Sequence, residues 1–560
     1  MNPAPRWRAL GLGLAAVLAV ALLGRALLLA SGAVSFHSDE AVVALMARHI
    51  LHGERPVFFY GQAYMGSLDP WLVAFGFSLL GETVQTIRLV QSALYLGVVA
   101  ASYGAAFVLS GRVGVAVIAG LTLAVPNVLV ALYTTATLGG YNETLLLGAL
   151  IVLLGFPIQR GGAGLWRWAL IGVLAGLGWW TNALIAVYLL PLAVLLLVRL
   201  WRGRAEGARL LIGPAVAIGG FVLGSAPWWL FALQNDFAPL RFLAGAPNAG
   251  FASAESAQPF GLRLLGLLAF GLPAALGLRF PWSPEWFFPI AGVLVLVIYL
   301  LALAALIRRR AGLKPGGRGL VLGMTALLAA VFLLSRFSND PTGRYFLPLT
   351  LPLGVMLGVY LTPRPPLRRE RGSEEQVGSP LLPEGEGGRG MRAAPGLRFA
   401  ALALIVVFHA AGVIAAARGP VGLTTQFNVA EHIPAEYDED VIAFLRSQGI
   451  TAGYASYWAA FRLAFLSGEA VTFSAALPPR DDLDWTPFYD RYAPYRAAAD
   501  AAPPAFVTAN TPALNGELER LFAEAGVTFS TEIIGPYTVF YAFDRPEAVP
   551  RPPFTFERQN

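Results

Sequence analysis

Residues 9–40 read ALGLGLAAVLAVALLGRALLLASGAVSFHSDE, an apolar run carrying one charge, Arg25, followed by a short polar stretch that ends in the acidic pair Asp39-Glu40. Roughly 20 such residues in a helix cross the hydrocarbon core of a bilayer. The pair comes directly after that run. In this chain of 560 residues only 13% are charged and 56% are hydrophobic, whereas soluble chains carry about 25% charged residues. Composition therefore predicts an α-helical polytopic membrane protein, in which two carboxylates beside the bilayer need a reason. Proton abstraction from a membrane-held substrate is one use for such a position.

Further apolar windows fall near 85–109, 113–132, 142–158, 168–181, 183–200, 210–233, 287–307, 319–335, 345–362 and 397–417, for about eleven spans. Arg6, Arg8, Arg112, Arg160, Arg167, Arg199, Arg202, Arg204, Arg209, Arg308, Arg309, Arg310, Lys314 and Arg318 fall on one side, with the Arg-rich 364–398 segment. The alternate loops hold Asp39, Glu40, Glu54, Asp69, Glu82, Asp236, Glu255, Glu285 and Asp340. The positive-inside rule makes the first side cytoplasmic, so the acidic pair faces outward. An odd number of spans puts the C-terminal region outside too. The same rule accounts for the net charge of +6; the bilayer is the expected partner and nucleic acid is not. The protein is expected in the cell membrane as a multi-pass chain, its first helix retained because no small-residue cleavage site ends a short apolar core. With no cysteine in the sequence, disulfides, thiolate metal sites and cysteine nucleophiles are excluded.

The chain divides into a transmembrane module over 1–362 with a first outer loop at 32–84, a linker at 363–396, a last span at 397–417 and a tail at 418–560. In the first loop Val42, Leu45, Met46 and Ile50 recur at helical spacing, which predicts a helix lying in the membrane interface. A second such stretch falls at 260–278. The linker is rich in Pro, Gly, Arg and Glu and predicts a disordered cytoplasmic segment. The tail reads as a small α/β domain, with helices at Asp438–Gln448 and Leu514–Ala525 and strands at Ala470–Phe473, Ala505–Thr508 and Tyr537–Phe543.

Several polar residues stand against this apolar background. Asp39 and Glu40 are explained either by chemistry or by the first turn of a helix capped by Ser38, where the dipole favours acids. Gly61-Gln-Ala-Tyr-Met-Gly-Ser-Leu-Asp-Pro-Trp71 mixes polar and aromatic residues with glycines that allow close backbone approach. Tyr60, Tyr64 and Trp71 fit an interfacial aromatic belt equally well. Arg88, at the outer end of the second span, either snorkels or pairs with a lipid phosphate. Arg344, in Ser338-Asn-Asp-Pro-Thr-Gly-Arg-Tyr-Phe-Leu-Pro348, opposes the macrodipole at a helix start, which points to a bound anion or to pairing with Asp340. Glu143 opens the fourth span, a position where acids are common.

This combination resembles the GT-C superfamily of membrane glycosyltransferases, in particular the family 39-like branch with protein O-mannosyltransferases and aminoarabinose lipid A transferases. The resemblance rests on the Asp-Glu pair, the Gly-Gln-Ala-Tyr-Met-Gly-Ser-Leu-Asp stretch and an Arg at the start of the second span. The Gly-Arg-Tyr-Phe-Leu-Pro entry to a late span and an outward C-terminal domain complete it, and it covers most of residues 9–362. It implies inverting transfer of a sugar from a polyprenyl-phosphate donor to a hydroxyl of a lipid, glycan or protein, on the outer face. Asp39 would be the general base with Glu40 in support. Arg88 and Arg344 would offset charge on the departing phosphate, and Tyr345, Gln62, Tyr64, Asp69 and Glu143 would complete the substrate site. No cofactor is expected, and no metal, since no Asp-x-Asp motif follows the first span. Positions that carry Lys or Arg in some relatives are here Val42, Val43 and Gln62, so the identity of the sugar does not carry over.

Two other classes remain open. A transporter or flippase would show internal repeats and helices broken at the midplane; no repeat is visible, and apart from Arg25, which can snorkel outward, the candidate residues lie at the outer surface. A glycan-binding or scaffold protein would use the tail, where Tyr457, Trp458 and Arg462 suit sugar stacking or, equally, a domain core or a face packed on the membrane part.

Overall fold

The computed structural model describes residues 3–161, 164–203, 211–243, 259–308, 312–335, 338, 340–363, 395–427 and 432–554. The chain opens with α1 (Pro3–Ala30), α2 (Ser38–Leu51), the hairpin strands β1 (Phe58–Phe59) and β2 (Gln62–Gly66), α3 (Leu68–Leu80) and α4 (Val84–Ser110). It continues through α5 (Val113–Ala124), α6 (Val128–Tyr133), α7 (Tyr141–Gly155), α8 (Leu165–Thr181) and α9 (Ala186–Arg202). Local chemistry sets the boundaries. Thr83 caps α4 by accepting from the Thr86 N–H at 3.1 Å, and Gly111 ends it in the left-handed region, where a residue without Cβ is at ease.

The eleven apolar windows lie on helices. Among the described residues eight helices are long and apolar enough to span, or nine if the bent pair Ile212–Gly224 and Ala226–Gln234 is one span. That pair turns by 62° where Ser225 precedes Ala226 and Pro227. Pro126 lies between α5 and α6, where its missing N–H and its ring disfavour a continuous helix. The remaining 12 residues of α5 reach only about 18 Å at helical rise. The linker expectation at 363–396 falls almost wholly outside the described residues.

Arg25 does not snorkel. It is buried and donates to the Thr134 carbonyl and to the hydroxyls of Thr134 and Thr135. Its guanidinium lies 3.9 Å from the Tyr95 ring centroid. A cation inside the bundle is tolerated when its donors are satisfied in this way.

The C-terminal domain is α/β. Its sheet runs β4-β3-β5-β7-β6, where β3 is Ala452–Ser456, β4 Thr472–Leu477, β5 Phe506–Ala509, β6 Ser530–Ile534 and β7 Tyr537–Tyr541. The first three strands pair in parallel and the last two antiparallel. Alternate side chains serve two cores. Phe506 and Phe540 pack with Leu514, Leu518 and Phe522 of helix Pro512–Glu524. Val507 and Val539 face helix Tyr457–Leu466, which in turn packs on α2.

That contact overturns the interfacial helix. Ser38 and residues 40–50 of α2 are buried all round, with Val42, Val43, Leu45 and Met46 in one core with Ala459, Phe461, Leu463 and Ala464. Its polar residues survive burial because they are paired. Arg48 meets Glu82 at 2.6 Å, and His49 lies 2.9 Å from Glu469. Ser38 does not cap the helix. Its hydroxyl donates to the Trp458 carbonyl at 2.9 Å, and His37 holds the cap position.

Candidate active site

Asp39 and Glu40 are successive residues of one helical turn, so their side chains diverge by about 100°. Glu40 points into the bundle. It is fully buried and accepts both guanidinium nitrogens of Arg88, the Nη2–Oε2 bond at 2.8 Å, together with the Thr137 N–H at 3.0 Å. Arg88 also donates to the carbonyls of Val34 and Thr135 at 3.3 Å. The two charges satisfy each other, and neither residue reaches the cavity that Asp39 lines. The expectation that Arg88 faces a donor phosphate is replaced by a buried bidentate pair with Glu40.

Asp69 and Glu143 lie in the same interior layer. Asp69 accepts from the Thr137 hydroxyl at 2.6 Å, Gln91 at 2.9 Å and the N–H groups of Gly139 and Gly140. Burial, acting first, lifts its carboxyl above the ordinary range despite these donors. Glu143 is buried next to it. Both were expected to bind substrate, and neither lines the cavity.

Asp39 turns the other way, into a cavity of about 620 Å³. Gln62, Tyr64, Arg344 and Tyr345 line the same space. Tyr133, Tyr141 and Trp458 add hydroxyl and indole groups, while Val187, Leu190, Leu327 and Val331 form an apolar wall. Arg344 pairs with Asp340 at 2.6 Å, and its Nε is buried without a partner among the described residues. The carbonyl oxygen of the Gln62 side chain is also buried and unpartnered. Orphaned polar atoms around a cavity call for a ligand or water.

The remaining wall comes from the C-terminal domain, over residues 479–491. Tyr457 donates its hydroxyl to Asp39 Oδ1 at 2.5 Å, and Arg491 Nη2 lies 3.7 Å from the same oxygen. Burial, which would raise the Asp39 carboxyl, is outweighed by Arg491, His37, the Tyr457 hydrogen bond and Arg344, so it sits below its ordinary value. Burial, reinforced by the facing carboxylate and opposed by Arg491, pushes Tyr457 well above the ordinary range. Tyr457 therefore stays a donor and Asp39 an acceptor. Both protein contacts fall on Oδ1.

Close packing seats that wall. Gly61 has φ +69°, and a Cβ there would come within 3.3 Å of Arg491 Cα and Cγ. The glycines of the 61–66 stretch thus admit protein: at Gly66 a Cβ would overlap the Trp180 carbonyl. Arg462 has another task, a buried pair with Asp438 at 2.6 Å.

No family model matches the chain. Over 227 residues it is 29% identical to "Undecaprenyl phosphate-alpha-4-amino-4-deoxy-L-arabinose arabinosyl transferase 2" of Pseudomonas fluorescens (strain Pf0-1). That match takes in 40% of this chain and 36% of the relative, so the chain spans about a third of the relative's length. The crystal structure of apo ArnT from Cupriavidus metallidurans superposes with a TM-score of 0.58 at 13% identity, over 98% of this chain and 100% of that one. The chain has the ArnT fold. The same ArnT bound to undecaprenyl phosphate gives a TM-score of 0.52 at 16% identity, over 93% and 97% of the two chains. Likeness to ArnT runs through the membrane helices and the C-terminal domain together, and with it the GT-C resemblance read from the sequence stands at the level of fold. Arg491 and Tyr457 were not assigned to this site from sequence. The one signal was the density of charge and aromatics in Arg480-Asp-Asp-Leu-Asp-Trp-Thr-Pro-Phe-Tyr-Asp-Arg491.

Proposed function

We propose that this chain is an inverting glycosyltransferase that moves a sugar from a polyprenyl-phosphate donor to a hydroxyl acceptor at the outer face of the membrane. One observation carries the reading. A single cavity brings together an ionised carboxylate, Asp39, a guanidinium with an unpartnered Nε, Arg344, and an apolar wall from the spanning helices. A prenyl chain suits the wall, and its phosphate suits Arg344 with the Tyr345 hydroxyl. The name of the Pseudomonas relative and the lipid bound to ArnT support the same donor class. The outward orientation is supported by the arginine-rich loops of the opposite side.

Asp39 acts as general base. Its Oδ2 takes the acceptor proton as the acceptor oxygen attacks the anomeric carbon, while the anomeric C–O bond breaks and its electron pair leaves on the phosphate. Arg344 then faces the charge that builds on that leaving group. A carboxyl held below its ordinary range is a weak base, so proton transfer is completed late, after the sugar–phosphate bond has largely broken. Glu40 and Arg88 act by holding α2 against α4, and so fix where Asp39 points.

The test is release of undecaprenyl phosphate by purified protein given a panel of undecaprenyl-phosphate sugars, the 4-amino-4-deoxy-L-arabinose donor included, with a membrane extract as acceptor. At least one donor is turned over, and Asp39→Asn abolishes the turnover. Folded protein that turns over no donor overturns the reading.

A further inference from the structure

Asp39 belongs to the transmembrane module, yet the groups that touch its carboxylate belong to the C-terminal domain. Tyr457 opens helix Tyr457–Leu466, and a hydrogen bond of 2.5 Å joins its hydroxyl to Asp39 across 418 positions of sequence. Arg491 approaches the same oxygen to 3.7 Å. Its guanidinium is held over the rings of Tyr457, at 4.8 Å, and Phe488, at 5.4 Å. The backbone on either side of Arg491 is held to the first loop. Gly61 makes room for the Arg491 main chain. The next residue, Tyr492, donates to Glu54 at 2.6 Å and stacks on His49 and Tyr60, with centroids 4.7 and 4.6 Å apart.

Of the other charged groups around Asp39, three have partners of their own, and Arg480, Asp482 and Asp484 line the same cavity from the tail. On its own helix Glu40 is bound by Arg88 of α4, and preceding it His37 is hydrogen-bonded to Thr425 at 2.8 Å. Arg344, entering the late span, is bound to Asp340. Tyr64 of β2, Tyr133 of α6 and Tyr489 of the tail feel the Asp39 charge but are neutral hydroxyls. Arg491 is the cation that has Asp39 as its carboxylate.

We propose that Arg491 and Tyr457 are positioning residues for the base, so that the C-terminal domain orients Asp39, holds it as the carboxylate, and completes the site only when docked. The proposal rests on the reading of Asp39 as the general base. An acidic group that loses a neighbouring cation and a hydrogen-bond donor regains protons at higher pH. Domain docking and base competence are then one event.

The experiment uses the full chain and measures donor turnover against pH for wild type, Arg491→Gln, Arg491→Lys and Tyr457→Phe. Folding is checked by thermal unfolding, and the Asp39 carboxylate is followed by infrared difference against Asp39→Asn. In Arg491→Gln the acid limb of the rate profile moves to higher pH, with about a tenfold loss at the acid end and a smaller loss on the plateau. Arg491→Lys restores the limb, and Tyr457→Phe moves it the same way by less. The infrared signal of ionised Asp39 persists to lower pH in wild type than in Arg491→Gln, and this is readable even if no donor in the panel is turned over. A limb and a carboxylate band that stay put in both folded Arg491→Gln and Tyr457→Phe overturn the proposal. So does a loss of rate that Arg491→Lys fails to rescue while the profile keeps its shape.

Discussion

Two carboxylate–guanidinium pairs begin at adjacent residues and differ in almost everything else. Glu40 and Arg88 meet in a bidentate pair with 0% and 5% of their side chains exposed. Asp39 and Arg491 stand 3.7 Å apart with 29% and 9% exposed, beside a cavity. The first pair is saturated: its charges satisfy each other and carbonyls take the spare donors. The second is left incomplete, with Arg491 Nε and the second Asp39 oxygen uncommitted to protein among the described residues. One pair is closed within the protein, and the other leaves polar atoms open beside a cavity.

The largest effect comes from breaking the saturated pair. Arg88→Ala leaves Glu40 charged and buried and should cost about 3–5 kcal/mol, read as a lowered unfolding midpoint. The double replacement Glu40→Met, Arg88→Met should recover most of that loss. A single variant as stable as wild type would remove the structural role assigned to the pair.

The next effect falls on activity. Arg344 is joined to Asp340 but lines the cavity and keeps a buried Nε that has no partner among the described residues. Arg344→Ala should reduce donor turnover by about 10²–10³ with a small change in melting. Equal losses in stability and rate would make it another structural pair.

A smaller effect is set by pH. Glu469 lies at the edge where the first loop meets the C-terminal domain, bonded to His49 and Tyr495. Burial would raise its carboxyl, yet the hydrogen bonds from His49 and Tyr495 and the charges of His49 and Arg48 bring it down to about 2. A carboxyl depressed on folding stabilises the docked form above its unfolded value, about 4.3, and that stabilisation disappears as pH falls toward 2. Limited proteolysis of the tail should accelerate across that window in wild type and show no such step in Glu469→Gln.

The smallest effect calibrates the scale. Arg520 makes i,i+3 and i,i+4 contacts to Glu517 and Glu524 on an exposed helix face. Exposed pairs are screened, so Arg520→Ala should leave melting and turnover unchanged within error.

Much of this was readable in advance, for physical reasons. Apolar runs long enough to cross a bilayer declare themselves, and each window became helix. Gln62, Tyr64, Arg344, Tyr345 and Asp39 stood out because polar groups are rare in such a chain, and the structure brings them to one cavity. The count of about eleven spans rests on apolarity alone, which does not register the break at Pro126 or the bend at Ser225. Glu40, Arg88, Asp69 and Glu143 drew notice for the same rarity, yet burial away from the cavity leaves no trace in a linear sequence. The strand Ala452–Ser456, Ala-Gly-Tyr-Ala-Ser, is buried between two parallel partners yet lacks the β-branched residues that announce a strand. Arg491 could not be matched to Asp39 at all. Their contact depends on how helix Tyr457–Leu466 packs against α2, the helix that periodicity alone assigned to the membrane surface.

In the function proposed here the two neighbouring acids divide the work, Asp39 for chemistry and Glu40 for structure. Parallel single-turnover and thermal-unfolding measurements on Asp39→Asn and Glu40→Gln test it most directly. Asp39→Asn should unfold like wild type and lose about 10²–10⁴ in rate, whereas Glu40→Gln should unfold earlier and keep a larger share of its rate when folded. Wild-type turnover in folded Asp39→Asn would contradict the account.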